Sequence, residues 1–157
     1  MEVLITTGKK PDRKARLIAK ALFLSMPGSR LEGRGGRTLA SLASKAAHLH
    51  FNRLCAIYKE EGRPHSLSFM EIGGKNQWRW LSPKISITKV SVSPKGKAKL
   101  RQSACLRITG TKAAALSALA SPLNSSDETE SRLAASAKKI TIALGNRKLL
   151  EMGVKYE

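Results

Sequence analysis

The stretch Leu4-Ile5-Thr6-Thr7-Gly8-Lys9-Lys10-Pro11-Asp12-Arg13-Lys14-Ala15-Arg16 passes from an apolar run to five basic residues within nine positions. Its pattern reads as a strand that ends in Thr6-Thr7-Gly8 and feeds a helix opening at Pro11-Asp12. Such a joint presents hydroxyls and free backbone N–H groups, and the helix dipole adds positive potential. The chemistry this suits is the holding of an anion. Lys9, Lys10, Arg13, Lys14, Arg16 and Lys20 surround it, and Arg30, Arg34 and Arg37 follow. From Gly8 to Arg37, nine basic residues face two acids, Asp12 and Glu32. A solvated basic face is the plainer reading of the same run.

A second basic run holds Lys84, Lys89, Lys95, Lys97, Lys99 and Arg101, with no acid between the first and the last. It suits either a track for a phosphate backbone or a solvated loop. The Gly-x-x-x-x-Gly-Lys-Ser/Thr spacing of a nucleotide-hydrolysing loop is missing. Other catalytic patterns are thin. His48 and His50 are two apart on a predicted helix and so share no face, and His65 stands alone after Pro64. Cys55 and Cys105 lack Cys-x-x-Cys spacing and read as small buried hydrophobes. Glu60-Glu61 and Asp127-Glu128 fall in predicted loops. With no set of nucleophile, base and orienter, we expect no enzyme, no metal and no cofactor. Trp78 and Trp80 alternate with Arg79, so both indoles share a face. They either shield a sheet or stack on exposed bases.

The composition points the same way. Lys plus Arg is 29 and Asp plus Glu is 11, a net +18. A field of that size attracts polyanions, nucleic acid first, with an anionic membrane surface or an acidic protein as alternatives. The 157 residues suffice for one domain with a real core. No run of 18 or more apolar residues and no secretory signal is read, so the expectation is a soluble, cytoplasmic chain.

The elements that must position these residues follow from local pattern. Glu2 to Thr7 reads as a strand. Asp12 can cap a helix whose Arg13, Arg16 and Lys20 share one face, with Ile18 and Leu22 opposite. Met26-Pro27-Gly28-Ser29 stops it, and Arg30 to Arg37 reads as a flexible basic loop. Thr38 can cap a second helix carrying Leu39, Leu42, Ala43, Ala46 and Leu49 as an apolar stripe. Leu54–Tyr58, Leu67–Ile72 and Gln77–Leu81 read as strands, the last two a hairpin across Gly73-Gly74-Lys75-Asn76. Ile85 to Val92 reads as a further strand with a bulge near Thr88-Lys89. Ser93 to Gln102 reads as a Lys-rich loop. Ala104, Leu106 and Ile108 line one face of a strand, Lys112 to Ser121 reads as a helix, and Arg132 to Ala135 as a helical turn after a polar connection. Ile140, Ile142 and Leu144, then Leu150, Met152 and Val154, alternate in two closing strands. The fold class is α/β (α+β), a mixed sheet with packed helices. An internal echo relates Leu4-Ile5-Thr6-Thr7-Gly8-Lys9-Lys10 to Leu106-Arg107-Ile108-Thr109-Gly110-Thr111-Lys112, four of seven positions matching. It suggests a duplicated half-domain.

The opening stretch as a whole resembles the start of the Brix-domain ribosome-biogenesis proteins, in particular the short archaeal members related to the eukaryotic Imp proteins. The shared pattern is an apolar strand, Thr-Thr, a small residue, two basic residues, Pro, a capping residue and an Arg-rich helix start. Asp12 stands where that family usually has Ser, and Ala15 where it often has Thr. Arg34-Gly35 before a helix near Thr38 resembles its second conserved piece. Gly145 and Arg147 are similar to its Gly-Pro-Arg-Phe stretch, without the proline and the aromatic. The resemblance implies a single domain over 1–157, with halves of approximately 1–83 and 84–157. Each half would be like the anticodon-binding domain of class II aminoacyl-tRNA synthetases. It also implies rRNA processing and small-subunit assembly without catalysis, through binding of rRNA, pre-rRNA or a guide-RNA particle and its proteins. The place of action would be cytoplasmic, or nucleolar in a eukaryote. The RNA-binding residues would be Thr6, Thr7, Gly8, Lys9, Lys10, Arg13, Lys14, Arg16, Lys20, Arg30, Arg34, Arg37, Lys95, Lys97 and Lys99. The alternative is a non-catalytic scaffold whose basic surface meets acidic protein partners.

Overall fold

A computed structural model describes residues 2–74, 77–93, 100–103, 105–119 and 130–157. Strand β1 (Val3–Thr7) leads into helix α1 (Arg13–Ser25), the short strand β2 (Arg30–Glu32), helix α2 (Leu39–His48) and strands β3 (Arg53–Lys59), β4 (His65–Ile72) and β5 (Trp78–Val92). Then follow β6 (Cys105–Thr109), a 3₁₀ segment (Ala113–Leu119), β7 (Glu130–Ala135), β8 (Lys139–Leu144) and β9 (Arg147–Tyr156).

The strands form one sheet in the order β2-β1-β3-β4-β5-β9-β8-β7-β6. β1 runs parallel to both β2 and β3, and β6 runs parallel to β7; the remaining pairs are antiparallel. From β1 inward the pairings are parallel, antiparallel, antiparallel; from β6 inward they are the same. The two series meet at β5 and β9.

The helices take opposite faces, and their stripes explain why. Ala15, Ile18, Ala19 and Leu22 recur at helical spacing on α1 and join one buried cluster with Ile5, Ile57, Phe69, Leu133, Ile142 and Met152, which come from strands on both sides of the β5–β9 junction. Each fully buried Leu or Ile stabilises by about 1.5–3 kcal/mol. Helix α2 covers only the β1–β3–β4 end of the other face, where Leu42, Ala43 and Ala46 meet Leu4, Leu54, Ala56 and Met70. Both expected caps form. The Asp12 carboxylate accepts from the Ala15 amide at 2.9 Å, and the Thr38 hydroxyl from the Ser41 amide at 3.1 Å.

Four elements depart from local expectation. Arg30 to Glu32, read as loop, is an edge strand, because parallel pairing with Leu4–Thr6 satisfies backbone groups that no local pattern announces. The runs read as two strands, Gln77–Leu81 and Ile85–Val92, merge into one continuous strand, β5, which begins at Trp78. Pro83 needs no ladder bond there, because the register with β4 shifts between Leu67 and Phe69. The expected bulge in β5 does form, between Ile87 and Lys89 opposite β9. Residues 112–121, read as helix, give a 3₁₀ segment over Ala113–Leu119. Arg132 to Ala135, read as a helical turn, lies in β7. Ser131, Leu133 and Ala135 face inward on alternate positions, and pairing on both sides outweighs the helical preference of the alanines. Lys75, Asn76, Lys95, Lys97, Lys99, Ala104, the last two residues of the expected helix (120–121) and the polar connection up to 129 lie outside the described residues.

Candidate nucleic-acid interface

Because β1, β2 and β3 run parallel, their carboxyl ends share one side of the sheet. In parallel sheets the crevice beyond those ends is the usual place for a ligand. Here it gathers the loop after β1 (Gly8, Lys9, Lys10), the loop after β2 (Gly33 to Arg37) and Lys59 at the end of β3. Gly8, Lys9, Lys10, Pro11 and Asp12 line a cleft whose far wall is Tyr58 and Lys59. Lys9, Lys10, Arg13, Lys14 and Arg16 are all exposed.

The backbone of the joint does less than the sequence suggested. Thr6 is wholly buried, paired in the sheet between Glu32 and Ala56, and presents no atom to solvent. Thr7 is also buried, its hydroxyl 3.4 Å from the Gly8 carbonyl. The Gly8 N–H is spent on the Ile57 carbonyl at 3.0 Å. The Asp12 carboxylate occupies the start of α1 as its cap, which leaves only the Arg13 and Lys14 amides of the first turn without an intrahelical acceptor. Any phosphate at this end is therefore met mainly by side-chain cations.

The two acids of this basic stretch have structural tasks. His65, buried at the start of β4, places its Nε2 at 2.8 and 2.9 Å from the two Asp12 carboxylate oxygens. His65 is thus not isolated: it ties β4 to the start of α1. Burial works against ionisation of Asp12, but the Ala15 amide, His65 and Lys59 outweigh it and hold its pKa below the ordinary value. Glu32 receives Lys45, Arg37 at 2.7 Å and Arg30 at 3.7 Å. The Lys45 ammonium holds Glu32 below the usual carboxylate range, with burial opposing and Arg37 assisting. Three cations on one carboxylate leave two positive charges in excess at the end of β2. The loop expected to be flexible is also tied down. Arg37 donates to the Gly33 carbonyl at 3.1 Å, and Arg34 donates to the Arg37 carbonyl at 2.9 Å.

Asp12→Ala removes the cap and leaves a buried imidazole without its acceptor. The expected loss is about 1–2 kcal/mol, read by urea unfolding at neutral pH. Asp12 has a depressed pKa in the folded state, so its contribution is present above the unfolded value, about 3.9. It is lost as pH falls through the folded value. The gap between wild type and variant should therefore close in acid.

Lys20 lies apart from this end. It lines a groove between α1 and β9 with Leu17, Arg147 and Lys148. Tyr58, Lys59 and Lys45 were missed by sequence reasoning. Tyr58 and Lys59 sit at the end of an apolar strand, and only the parallel pairing with β1 brings them to the joint. Among the described residues, no three His, Cys, Asp or Glu side chains gather as a metal site, and no helix is long and apolar enough to cross a membrane. Cys55 is enclosed in the core, and burial pushes its thiol pKa far up.

Fold and basic rim together define a class: an α+β protein whose described residues form one nine-stranded mixed sheet, two α-helices and a cationic edge. The particular likeness is to two proteins of known structure. A probable ribosomal biogenesis protein from Aeropyrum pernix K1 has a TM-score of 0.70 to this chain at 16% identity, over 98% of this chain and 95% of its own. Mil, an archaeal Imp4-like protein, has a TM-score of 0.69 at 13% identity, over 99% of this chain and 98% of its own. No family model and no curated protein sequence matches the chain. The chain has the fold of these archaeal proteins over nearly its whole length, as the Brix-like opening led us to expect.

Proposed function

We propose that this protein is a non-catalytic RNA-binding factor of ribosome assembly, acting on rRNA or pre-rRNA during small-subunit maturation, alone or with a guide-RNA particle. The carrying observation is the shared carboxyl end of β1, β2 and β3, where two loops and Lys59 gather cations and where Asp12 and Glu32, the two acids of the stretch from Gly8 to Arg37, are held in internal pairs. The fold shared with the two archaeal proteins supports the same reading. Phosphates are held by Lys9, Lys10, Arg13, Lys14 and Arg16, with Arg34, Arg37 and Lys59 at the rim. The place of action is the cytoplasm, or the nucleolus in a eukaryotic cell. The mirrored pairing order, together with the echo between the β1 and β6 ends, supports two similar halves of about 1–83 and 84–157. In this reading each half is like a class II synthetase anticodon-binding domain, and β5 runs through the junction.

The other reading, a scaffold for acidic protein partners, draws on the same +18 charge. A salt series separates the two. Binding to a structured rRNA fragment is expected to weaken linearly in log salt, by about 0.7–0.9 per phosphate contact, and to exceed binding to a DNA duplex of equal charge. Equal, weak binding to both nucleic acids, alongside tight binding to an acidic polypeptide, would favour the scaffold.

A further inference from the structure

A second exposed feature of the sheet lies away from the basic end. Trp78 and Trp80 are the only tryptophans in a chain with 4% aromatic residues, and both are exposed, at 42% and 44%. They stand on one face of β5, opposite Ile72 and Met70 of β4, which α2 buries. The helix does not extend over the indoles, and neither ring joins a buried cluster. Their centroids are 6.4 Å apart and their planes cross at 81°, so they do not stack on each other. On the other side of β5, β9 pairs only from Ile85 onward. Trp78 to Leu81 therefore border no described strand there.

The surroundings are cationic. Trp78 lines a cleft with Arg53, Glu71, Gln77 and Arg79. Both guanidiniums share the Glu71 carboxylate, at 3.0 Å from Arg53 and 2.6 Å from Arg79, which leaves one positive charge in excess. The Arg53 Nε is buried without an acceptor among the described residues. Farther along the same strand, the Lys84 ammonium sits 5.5 Å from the Tyr58 ring, which also walls the basic cleft.

We infer that Trp78 and Trp80 form a stacking platform for unpaired bases of single-stranded RNA, with Arg53 and Arg79 meeting the adjoining phosphate; this rests on the RNA-binding reading above. Every base has a π-face, so an open indole takes bases without regard to sequence. A base inside a duplex cannot reach it. The platform thus adds a preference for single strands that the charge of the basic end does not supply. The patch is two rings interrupted by Arg79 and bounded by Gln77 and Ser82, in a chain of net +18; that charge complements a nucleic acid better than an apolar protein segment.

Because the chain has no other tryptophan, its emission reports on this site directly. Wild type would be titrated with a short oligoadenylate and with an RNA duplex of equal phosphate number, following emission and, separately, the anisotropy of the labelled RNA. Quenching by the single strand alone, with Trp78→Ala and Trp80→Ala each weakening oligoadenylate binding about tenfold and leaving duplex binding and the salt slope unchanged, is the expected result. Trp78→Phe should restore part of the lost affinity, which a purely structural role would not do. Thermal unfolding of each variant confirms that the fold is kept. Binding of both RNAs without quenching, or alanine variants that bind oligoadenylate like wild type, would overturn the platform and leave the RNA reading intact. No binding of either RNA would overturn both. Quenching by an acidic peptide but by neither RNA would assign the open edge to a protein strand instead.

Discussion

Gly110→Ala should be the most damaging single substitution at any glycine in the described chain. Gly110 follows β6 with φ at +99°, a region that side-chain-bearing residues rarely adopt. A Cβ built there would lie 2.1 Å from the Ala135 carbonyl oxygen and 2.9 Å from its carbon. That oxygen accepts the Lys112 amide at 3.0 Å, and the Gly110 carbonyl accepts the Ala113 amide at 3.1 Å to start the 3₁₀ segment. Alanine must therefore strain the backbone, displace a rigid strand end and break the bond that turns the chain. Backbone strain of this kind costs about 1–3 kcal/mol, and the steric and hydrogen-bond losses add to it. We expect a total of about 4 kcal/mol, a drop in Tm on the order of 10 °C, or failure to fold. A calorimetric scan beside wild type measures it. Gly8, its counterpart in the echo, has no such demand. A Cβ there meets the Tyr58 Cβ at 3.7 Å, ordinary contact. Gly8→Ala should change stability by less than about 0.5 kcal/mol.

The second large effect concerns binding. Changing Lys9, Lys10, Arg13 and Lys14 together to Ala removes four exposed charges from the basic end. If each meets one phosphate, the log–log salt slope becomes shallower by about 3. Affinity for a structured rRNA fragment near physiological salt then falls on the order of 100-fold. Stability should hardly move, since exposed side chains away from caps and ion pairs contribute little. The control is a variant with Arg132, Lys138, Lys148 and Lys155 changed to Ala, four exposed cations of the β7–β9 half. A far smaller loss in the control marks the opening stretch as the site. Equal losses would mean that RNA responds to the field of the whole molecule rather than to this end of the sheet.

The sequence by itself determined what depends on near neighbours in the chain. Capping needs an acceptor three residues before the amide it takes, so Asp12 and Thr38 announced both helix starts. The apolar stripe of α2 and the alternation of Ile140 and Ile142, then of Leu150, Met152 and Val154, follow from periods of 3.6 and 2 and were legible for the same reason. The +18 charge is composition alone. The tertiary structure decided everything that rests on distant partners. His65 looked solitary because its partner, Asp12, lies 53 positions away. The two glycines of the echo look alike, yet only Gly110 has a carbonyl at its back. Arg30–Glu32 became a strand, and Arg132–Ala135 was kept from a helical turn, by pairing with chain remote in sequence. Thr6 and Thr7, read as phosphate ligands, were drawn into the core by the strand they end, while Tyr58 and Lys59 were carried to the joint by the strand beside it. The tryptophans were left open because α2 ends its cover at β4. Local rules act over three or four residues, whereas which surface a side chain meets is set by the order in which strands pair.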